Sequence, residues 1–192
     1  MSDESLPSFA PPPGAIFELA ERAVDFVRHA IIGTRGGILL DYRPETLPVL
    51  DHYLGTVPRD QPATVALIGA AAGAYFGEVV RRVLGGGWVQ TDDPAETWPL
   101  VLEGGLRIHP VALATAAILV DEAGVPAFEV PVADRAAVEE ALEGKEVPED
   151  EYYSLAGRLE ALLLVTDVLT GRKFTAAQTP VTPNEDDEPD EN

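Results

Sequence analysis

The sequence predicts a single domain of the α+β class, in which a central helix rich in alanine and glycine packs with other helices against a small, mainly antiparallel sheet. Residues 61–77 carry no formal charge and consist mainly of Ala and Gly with a few large apolar side chains. This composition is typical of a helix that is buried on nearly every side. Short apolar runs punctuated by Gly and Pro cross residues 88–109 and predict strands. Helices and strands do not alternate strictly along the chain, which favours α+β over a parallel α/β architecture.

The segment before the central helix predicts two helices and a strand. Apolar residues recur at spacings of three and four across residues 16–31, which predicts an amphipathic helix. Residues 38–40 form a short apolar run and predict a buried strand. Pro44 suits the first turn of a second helix, which Gly55 ends.

The central helix is predicted to extend from residue 61 to residue 84, where three consecutive glycines end it. Within it, Gly69, Gly73 and Gly77 recur at every fourth position and therefore lie on one stripe of the helix surface. Glycine lacks a Cβ atom, so another backbone can approach closely there, at a cost in helix propensity of about 1 kcal/mol per residue. We interpret the stripe as a packing surface.

The C-terminal half predicts short strands followed by helices. Residues 98–103 and 106–109 flank Gly104-Gly105 and predict a hairpin, and Pro99 predicts that its first strand lies at an edge of the sheet. Glycine, proline and acidic residues bound the remaining elements, which are strands at residues 88–91 and 128–130, helices at residues 110–123 and 135–142, and one continuous helix from residue 149 to Gly171.

The two ends of the chain differ in composition from its middle. Residues 1–13 contain four prolines and no periodic pattern, which predicts a disordered leader. Residues 175–192 are polar and finally acidic, which predicts a disordered tail. Residues 14–174 contain no internal repeat and no long polar linker, so they are predicted to form one globular domain.

The charge of the chain restricts the partners that suit it. The 33 acidic and 13 basic residues give a formal net charge of −20. An acidic surface repels phosphate backbones and anionic lipids and attracts basic proteins, so we predict a protein partner of basic character, no nucleic acid and no membrane. The uncharged run is shorter than a bilayer span, and Glu78, Arg81 and Arg82 follow it directly. With no recognisable secretory signal and no cysteine, the protein is expected to be cytoplasmic.

The residue types that commonly take part in catalysis do not form any recognisable catalytic motif in this sequence. His29, His52 and His109 lie far apart, without a metal-binding spacing. The GGGW sequence at residues 85–88 follows a helix, whereas a phosphate-binding loop precedes one. Ser154 lacks the turn that exposes a hydrolase nucleophile. We therefore predict no catalytic residue, no metal and no cofactor, and the sequence leans away from an enzyme.

Four residues are candidates for a ligand site: Asp41, Tyr75, Glu78 and Trp88. Tyr75 and Glu78 are three residues apart and so share a face of the central helix, and Trp88 follows the glycines that end this helix. A buried carboxylate in a pocket can serve as a general acid or base. The alternative for Glu78 is an ion pair with an arginine one turn later, and the alternative for Asp41 is a role in turn geometry.

Two stretches carry a resemblance to other proteins. Residues 40–54, LDYRPETLPVLDHYL, and residues 73–88, GAYFGEVVRRVLGGGW, resemble small bacterial domains of unknown function. Those domains share a strand, an acidic helix start that contains proline, and a G-x-Y-x-G-E helix that leads to G-G-x-W. The resemblance implies a common fold element and no catalytic residue, and the matching positions are Asp41, Glu45, Leu47, Gly73, Tyr75, Gly77, Glu78, Gly86 and Trp88.

Three functions follow as hypotheses. The charge and the missing catalytic signature favour a non-enzymatic interaction domain, such as an adaptor or an immunity-like inhibitor of a basic partner. The spacing of Tyr75 and Glu78 supports a small-molecule-binding protein or enzyme as the alternative. The glycine stripe supports a third possibility, a structural subunit that forms homo-oligomers.

Overall fold

The computed structural model of the protein describes residues 12–31, 40–121, 128–144 and 148–171. The predicted acidic tail and nearly all of the predicted leader lie outside these residues, as do two of the three residues in the strand predicted at 38–40. The third, Leu40, is buried and does not belong to a strand. The division of the chain into leader, domain and tail therefore stays a prediction.

The described residues form helices and a small antiparallel sheet, which confirms the predicted α+β class. They include seven α-helices and four strands of two residues each. The helices are α1 (Gly14–Ile31), α2 (Leu47–Leu54), α3 (Pro62–Leu84), α4 (Pro110–Leu119), α5 (Arg135–Leu142), α6 (Glu149–Tyr152) and α7 (Leu155–Thr170). The strands are β1 (Gly87–Trp88), β2 (Leu100–Val101), β3 (Arg107–Ile108) and β4 (Phe128–Glu129).

The four strands lie in the order β1-β2-β3-β4, and every neighbouring pair is antiparallel. The predicted hairpin is confirmed, with Leu100 of β2 opposite Ile108 of β3. The prediction that Pro99 marks an edge strand is wrong, because β2 pairs on both sides. Pro99 lies just before β2, and its carbonyl accepts a hydrogen bond from the Val89 N–H at 2.9 Å. The sheet can therefore use this residue although proline has no amide proton.

Helix α3 is the centre of the fold, and α1 and α4 pack against it. Every residue of α3 from Ala71 to Arg81 is buried. The prediction that the helix is buried on nearly every side is therefore confirmed for this segment. It is wrong for the first turns, where Ala63, Ala66 and Leu67 are exposed.

The glycine stripe of α3 faces α4. A Cβ atom on Gly73 would lie 2.4 Å from the Cα atom of Val111, and one on Gly69 would lie 2.6 Å from Oγ1 of Thr115. Moving forward along α3 thus means moving backward along α4, so the two helices are antiparallel. The prediction of a packing surface is confirmed, and its partner here is another helix of the same chain.

The glycines after α3 turn the chain sharply into the sheet. Gly86 has a φ of +104°, in the region that L side chains rarely adopt. A Cβ atom on Gly86 would lie 2.3 Å from the carbonyl oxygen of Val101. The turn therefore needs glycine for its backbone angle and for its close approach to β2.

The last predicted helix is wrong as a single element, because it is divided into α6 and α7. Ser154 lies between them with extended backbone angles, and its Oγ accepts a hydrogen bond from the Gly157 N–H at 2.9 Å. Serine is favoured at this position because its hydroxyl satisfies an amide that has no partner within the helix. A new helix begins here for that reason.

Helix α3 is long and apolar enough, by length and composition, to cross a membrane. In this fold most of the helix is buried inside the domain. That degree of burial is what the core helix of a folded domain shows.

Candidate functional site

The four predicted site residues fall into two groups around the C-terminal half of α3. Glu78 and Trp88 meet Arg81 in a group that we call the buried triad. Tyr75 belongs to a second group, which we call the tyrosine cluster and which consists of Glu21, Tyr42, Thr46, Tyr75 and Arg82. Asp41 lies beside this cluster, next to Tyr42 in the chain.

Both oxygens of the Glu78 carboxylate in the buried triad have partners. Oε1 accepts hydrogen bonds from Nε1 of Trp88 at 2.7 Å and from Nε of Arg81 at 3.0 Å, and Oε2 accepts one from Nη2 of Arg81 at 2.9 Å. Glu78 is 1% exposed and Arg81 is 6% exposed. Of the two roles predicted for Glu78, the geometry is that of the ion pair.

Gly77 makes the buried triad possible. A Cβ atom on Gly77 would lie 2.4 Å from the ring of Trp88. Because glycine has no Cβ atom, the indole packs directly against α3 and its N–H donates a hydrogen bond to the carboxylate of Glu78. The last glycine of the stripe therefore packs against Trp88, and the next residue, Glu78, accepts the hydrogen bond from the indole of Trp88.

In the tyrosine cluster, Tyr75 is fully buried and joins α3 to the segment before α2. Its hydroxyl oxygen accepts the Tyr42 N–H at 2.8 Å and lies 2.8 Å from Oγ1 of Thr46. The rings of Tyr42 and Tyr75 stack with centroids 4.8 Å apart, and the guanidinium of Arg82 lies 4.2 Å from the centre of the Tyr42 ring. An arginine over a tyrosine face is a favourable cation–π contact.

Tyr42 adopts an uncommon backbone conformation. Its φ is +64°, a value that few residues other than glycine adopt, and its amide is held by the Tyr75 hydroxyl. Its own hydroxyl donates to Oε1 of Glu21 at 2.5 Å. Burial raises the pKa of Tyr42, the bond to Glu21 raises it further, and burial also raises the pKa of Tyr75. Both phenols are therefore protonated at neutral pH, which suits hydrogen bonding and packing and not proton abstraction.

Asp41 is exposed and belongs to a local turn. Its Oδ1 accepts a hydrogen bond from the Arg43 N–H at 3.2 Å, and its Oδ2 lies 3.2 Å from Nε of Arg43. This is the turn geometry that the sequence offered as the alternative for Asp41. The structure thus brings Glu78 to Trp88 and places Asp41 near Tyr75, but it does not gather the four around one opening. Four cavities in the described part of the chain are lined by other residues.

One of these cavities, of about 510 Å³, is lined by a carboxylate that the sequence analysis did not select. Asp51 of α2 accepts the Leu155 N–H at 2.7 Å and the Ala156 N–H at 3.1 Å, so it caps the N-terminus of α7. A negative group at this end also suits the helix dipole. The Ser-Leu-Ala-Gly sequence at residues 154–157 was the available sign of a helix start, but nothing local indicates that its second cap comes from α2.

Replacing Asp51 with alanine is expected to lower the unfolding free energy by about 2 kcal/mol, because two amides at a helix terminus lose their acceptor. Urea denaturation measures this loss. Ser154→Ala serves as the matched control at the same terminus and should cost about 1 kcal/mol. A cost for Asp51→Ala below that of Ser154→Ala would contradict the proposed cap.

Stability should also depend on pH through Asp51. Burial raises the pKa of Asp51, and the two backbone hydrogen bonds oppose part of this rise. Because the folded pKa is raised, the folded state holds the proton more tightly, and stability is lost as pH rises from about 4 through the folded pKa. The unfolding free energy of the wild type relative to Asp51→Asn should therefore fall over this pH range. A difference that rises with pH would contradict this sign.

The described residues contain no group of three or more His, Asp or Glu side chains that could hold a metal ion. His109 forms a pair with Glu129, with 3.0 Å between Nε2 and Oε1. A comparison with models of protein families, with curated proteins and with solved structures finds no match for this chain. The resemblance to small bacterial domains stays a prediction.

Proposed function

We propose that the protein is a non-enzymatic interaction domain that binds a basic protein partner, as an adaptor or an immunity-like inhibitor does. The observation that carries this proposal is the distribution of charge between the core and the surface. Among the described side chains, one acid, Glu78, is buried, whereas two bases, Arg81 and Arg158, are buried. These three buried residues carry a net charge of +1, so the remaining described side chains are more acidic than the described part of the chain as a whole.

Several exposed arginines are also paired with acids. Exposed pairs of this kind contribute little to stability, and each neutralises one base and one acid, so the excess of acids over bases is unchanged. The pairs are Arg28 with Asp25, Arg43 with Asp41, and Arg107 with Glu129. The field around the protein therefore favours encounter with a positively charged surface, and complementary charge mainly increases the association rate and the specificity of such a complex.

The other two hypotheses gain no support from the described residues. The four cavities described above are lined by residues other than Tyr75, Glu78 and Trp88. The glycine stripe, which was the reason to consider homo-oligomers, packs against α4 and Trp88 of the same chain. Tyr75, Glu78 and Trp88 make hydrogen bonds to other residues of the chain.

Capture of a partner tests this proposal. The immobilised protein is exposed to a lysate of its source at low salt, and captured proteins are identified by mass spectrometry. We expect a protein with a basic surface whose dissociation constant, measured by calorimetry on the purified pair, rises by about tenfold or more between about 50 and 300 mM salt.

Immobilised polyglutamate is the control for charge alone. A partner that polyglutamate retains equally well is not specific for the domain. The proposal would be overturned if only such proteins are captured, or if the protein binds no protein and instead turns over a metabolite.

A further inference from the structure

The N-terminal half of α3 and the whole of α4 form an uncharged surface on this acidic protein. Residues 62–77 and 110–119 contain no Asp, Glu, Lys or Arg. Ala63, Ala66 and Leu67 are exposed, and Leu67 is 50% exposed. These three residues lie at spacings of three and four, so they face the same side of α3.

A groove of about 460 Å³ lies between the two helices, and of these three exposed residues only Ala66 lines it. The residues that line it from α3 are Pro62, Val65, Ala66 and Ala70, and those that line it from α4 are Val111, Thr115 and Leu119. Two of the lining residues from α3 are alanines, and alanine leaves open space where a larger residue would fill it. The groove therefore has apolar walls and room for larger apolar side chains from outside.

The fringe of the groove is mainly acidic. Glu96 lines it from the side, and Asp60 and Asp121 lie at the end where α3 begins and α4 finishes, since the two helices are antiparallel. Arg59 is the one base among the residues that line the groove. An apolar strip with this border is complementary to a segment that is apolar along one face and basic beside it.

We infer that this α3–α4 groove is the docking site for one helix of the basic partner, and this inference rests on the proposed function. The helix presents large aliphatic or aromatic residues at spacings of three and four to the alanine-lined groove, and lysine or arginine beside them to Glu96, Asp60 and Asp121. Amphipathic helices commonly bind in apolar grooves in this way. The partner helix is therefore defined by two features together: large apolar side chains on one face and basic residues beside that face.

A second copy of the chain suits the groove less well than such a helix. A symmetric pairing places the same patch of each copy against the other. It would bring two sets of fringe carboxylates together and would set alanine against alanine, which leaves the groove unfilled. A foreign helix with large apolar residues fills the groove and neutralises its border.

A defined peptide tests the groove directly. The probe is a synthetic helix of about five turns, built from leucine, alanine and lysine with all leucines on one face, and a scrambled peptide of the same composition controls for charge. Calorimetry gives the affinity, and amide chemical shifts locate the binding site. We expect the ordered peptide to bind about tenfold more tightly or better than the scrambled one, with shifts concentrated at residues 63–70 and 111–119.

The variant Ala66→Gln/Ala70→Gln fills and polarises the groove without changing the net charge, because both alanines line it. It should weaken binding of the ordered peptide by about tenfold and leave the circular dichroism spectrum unchanged. Val132→Gln is the matched control, because Val132 is 79% exposed, precedes α5 and does not line the groove. It should keep the affinity of the wild type.

Several results would overturn the inference. These are no binding of the ordered peptide, equal binding of both peptides, shifts centred on the acidic helix α5, or a concentration-dependent dimer that the double substitution abolishes. Binding to phosphatidylcholine vesicles that is lost in the double variant would assign the face to lipid and also overturn it.

Capture experiments separate this inference from the proposed function. If wild type and Ala66→Gln/Ala70→Gln capture the same basic partner equally, the proposed function stands and the groove is not its docking site. If the wild type captures no basic partner, both are overturned.

Discussion

Gly73→Ala is expected to lower the unfolding free energy by about 2 kcal/mol, since overpacking costs about 3 kcal/mol and the better helix propensity of alanine returns about 1. The new Cβ atom would lie 2.4 Å from Cα and 2.6 Å from N of Val111. These are backbone atoms of a packed helix, so they cannot rotate away as a side chain does. Gly73→Leu should cost more than about 3 kcal/mol, because a whole side chain must then separate α3 from α4.

Two other glycines provide the controls. At Gly69 the new Cβ atom meets Oγ1 of Thr115, a side-chain atom that can turn away, so Gly69→Ala should cost less than Gly73→Ala. At Gly14, in α1, a Cβ atom meets nothing within 4 Å, so Gly14→Ala should cost nothing. Urea denaturation of the three variants gives the ranking. Equal stability of Gly73→Ala and Gly14→Ala would show that α3 and α4 do not approach each other this closely.

Glu78→Ala is expected to be the most destabilising single change of a polar residue, at about 3 to 5 kcal/mol. It removes the carboxylate that faces the buried guanidinium of Arg81 and leaves the indole N–H of Trp88 without this acceptor. Loss of one partner from a buried ion pair leaves the other charge uncompensated in a medium that solvates it poorly. Glu78→Gln keeps an acceptor for Trp88 and should cost less.

The Asp25–Arg28 pair of α1 is the matched control for this prediction. It has the same i, i+3 spacing and a distance of 2.8 Å, but its side chains are 55% and 57% exposed. Asp25→Ala should therefore change the unfolding free energy by no more than about 0.5 kcal/mol. The double replacement Glu78→Leu/Arg81→Met should recover much of the loss, because an apolar pair of similar volume often replaces a buried ion pair without cost. Similar costs for Glu78→Ala and Asp25→Ala would contradict the burial of the triad.

Much of the helical framework could be predicted because its signals are local. The limits of α3 and α5 follow from residues within or next to each helix, and the glycine stripe predicts its packing role from spacing alone. The β2–β3 hairpin follows from Gly104-Gly105 between two short apolar runs. Pro99 was misleading because its position just before β2, and not its residue type, decides whether the missing amide proton matters.

The break between α6 and α7 could not be predicted, because part of its cause is remote. Ser154 is a local cap, but the second cap comes from Asp51, which is more than 100 residues away from Leu155 in the chain. Pairings over such separations depend on how helices pack and leave no periodic signal in either segment. The exposure of the first turns of α3 could not be predicted either, because alanine and glycine occur on buried and on exposed helix faces.

The sequence by itself determined that an alanine- and glycine-rich helix lies at the centre of an acidic α+β domain and that its glycines form a packing surface. Only the tertiary structure decided which arginine forms the ion pair with Glu78. Arg81 and Arg82 follow it at spacings of three and four, and both spacings permit an ion pair on a helix. Residue 81 faces the interior beside Trp88, whereas residue 82 faces the ring of Tyr42. Helical periodicity limits the partners, and packing from other parts of the chain selects among them.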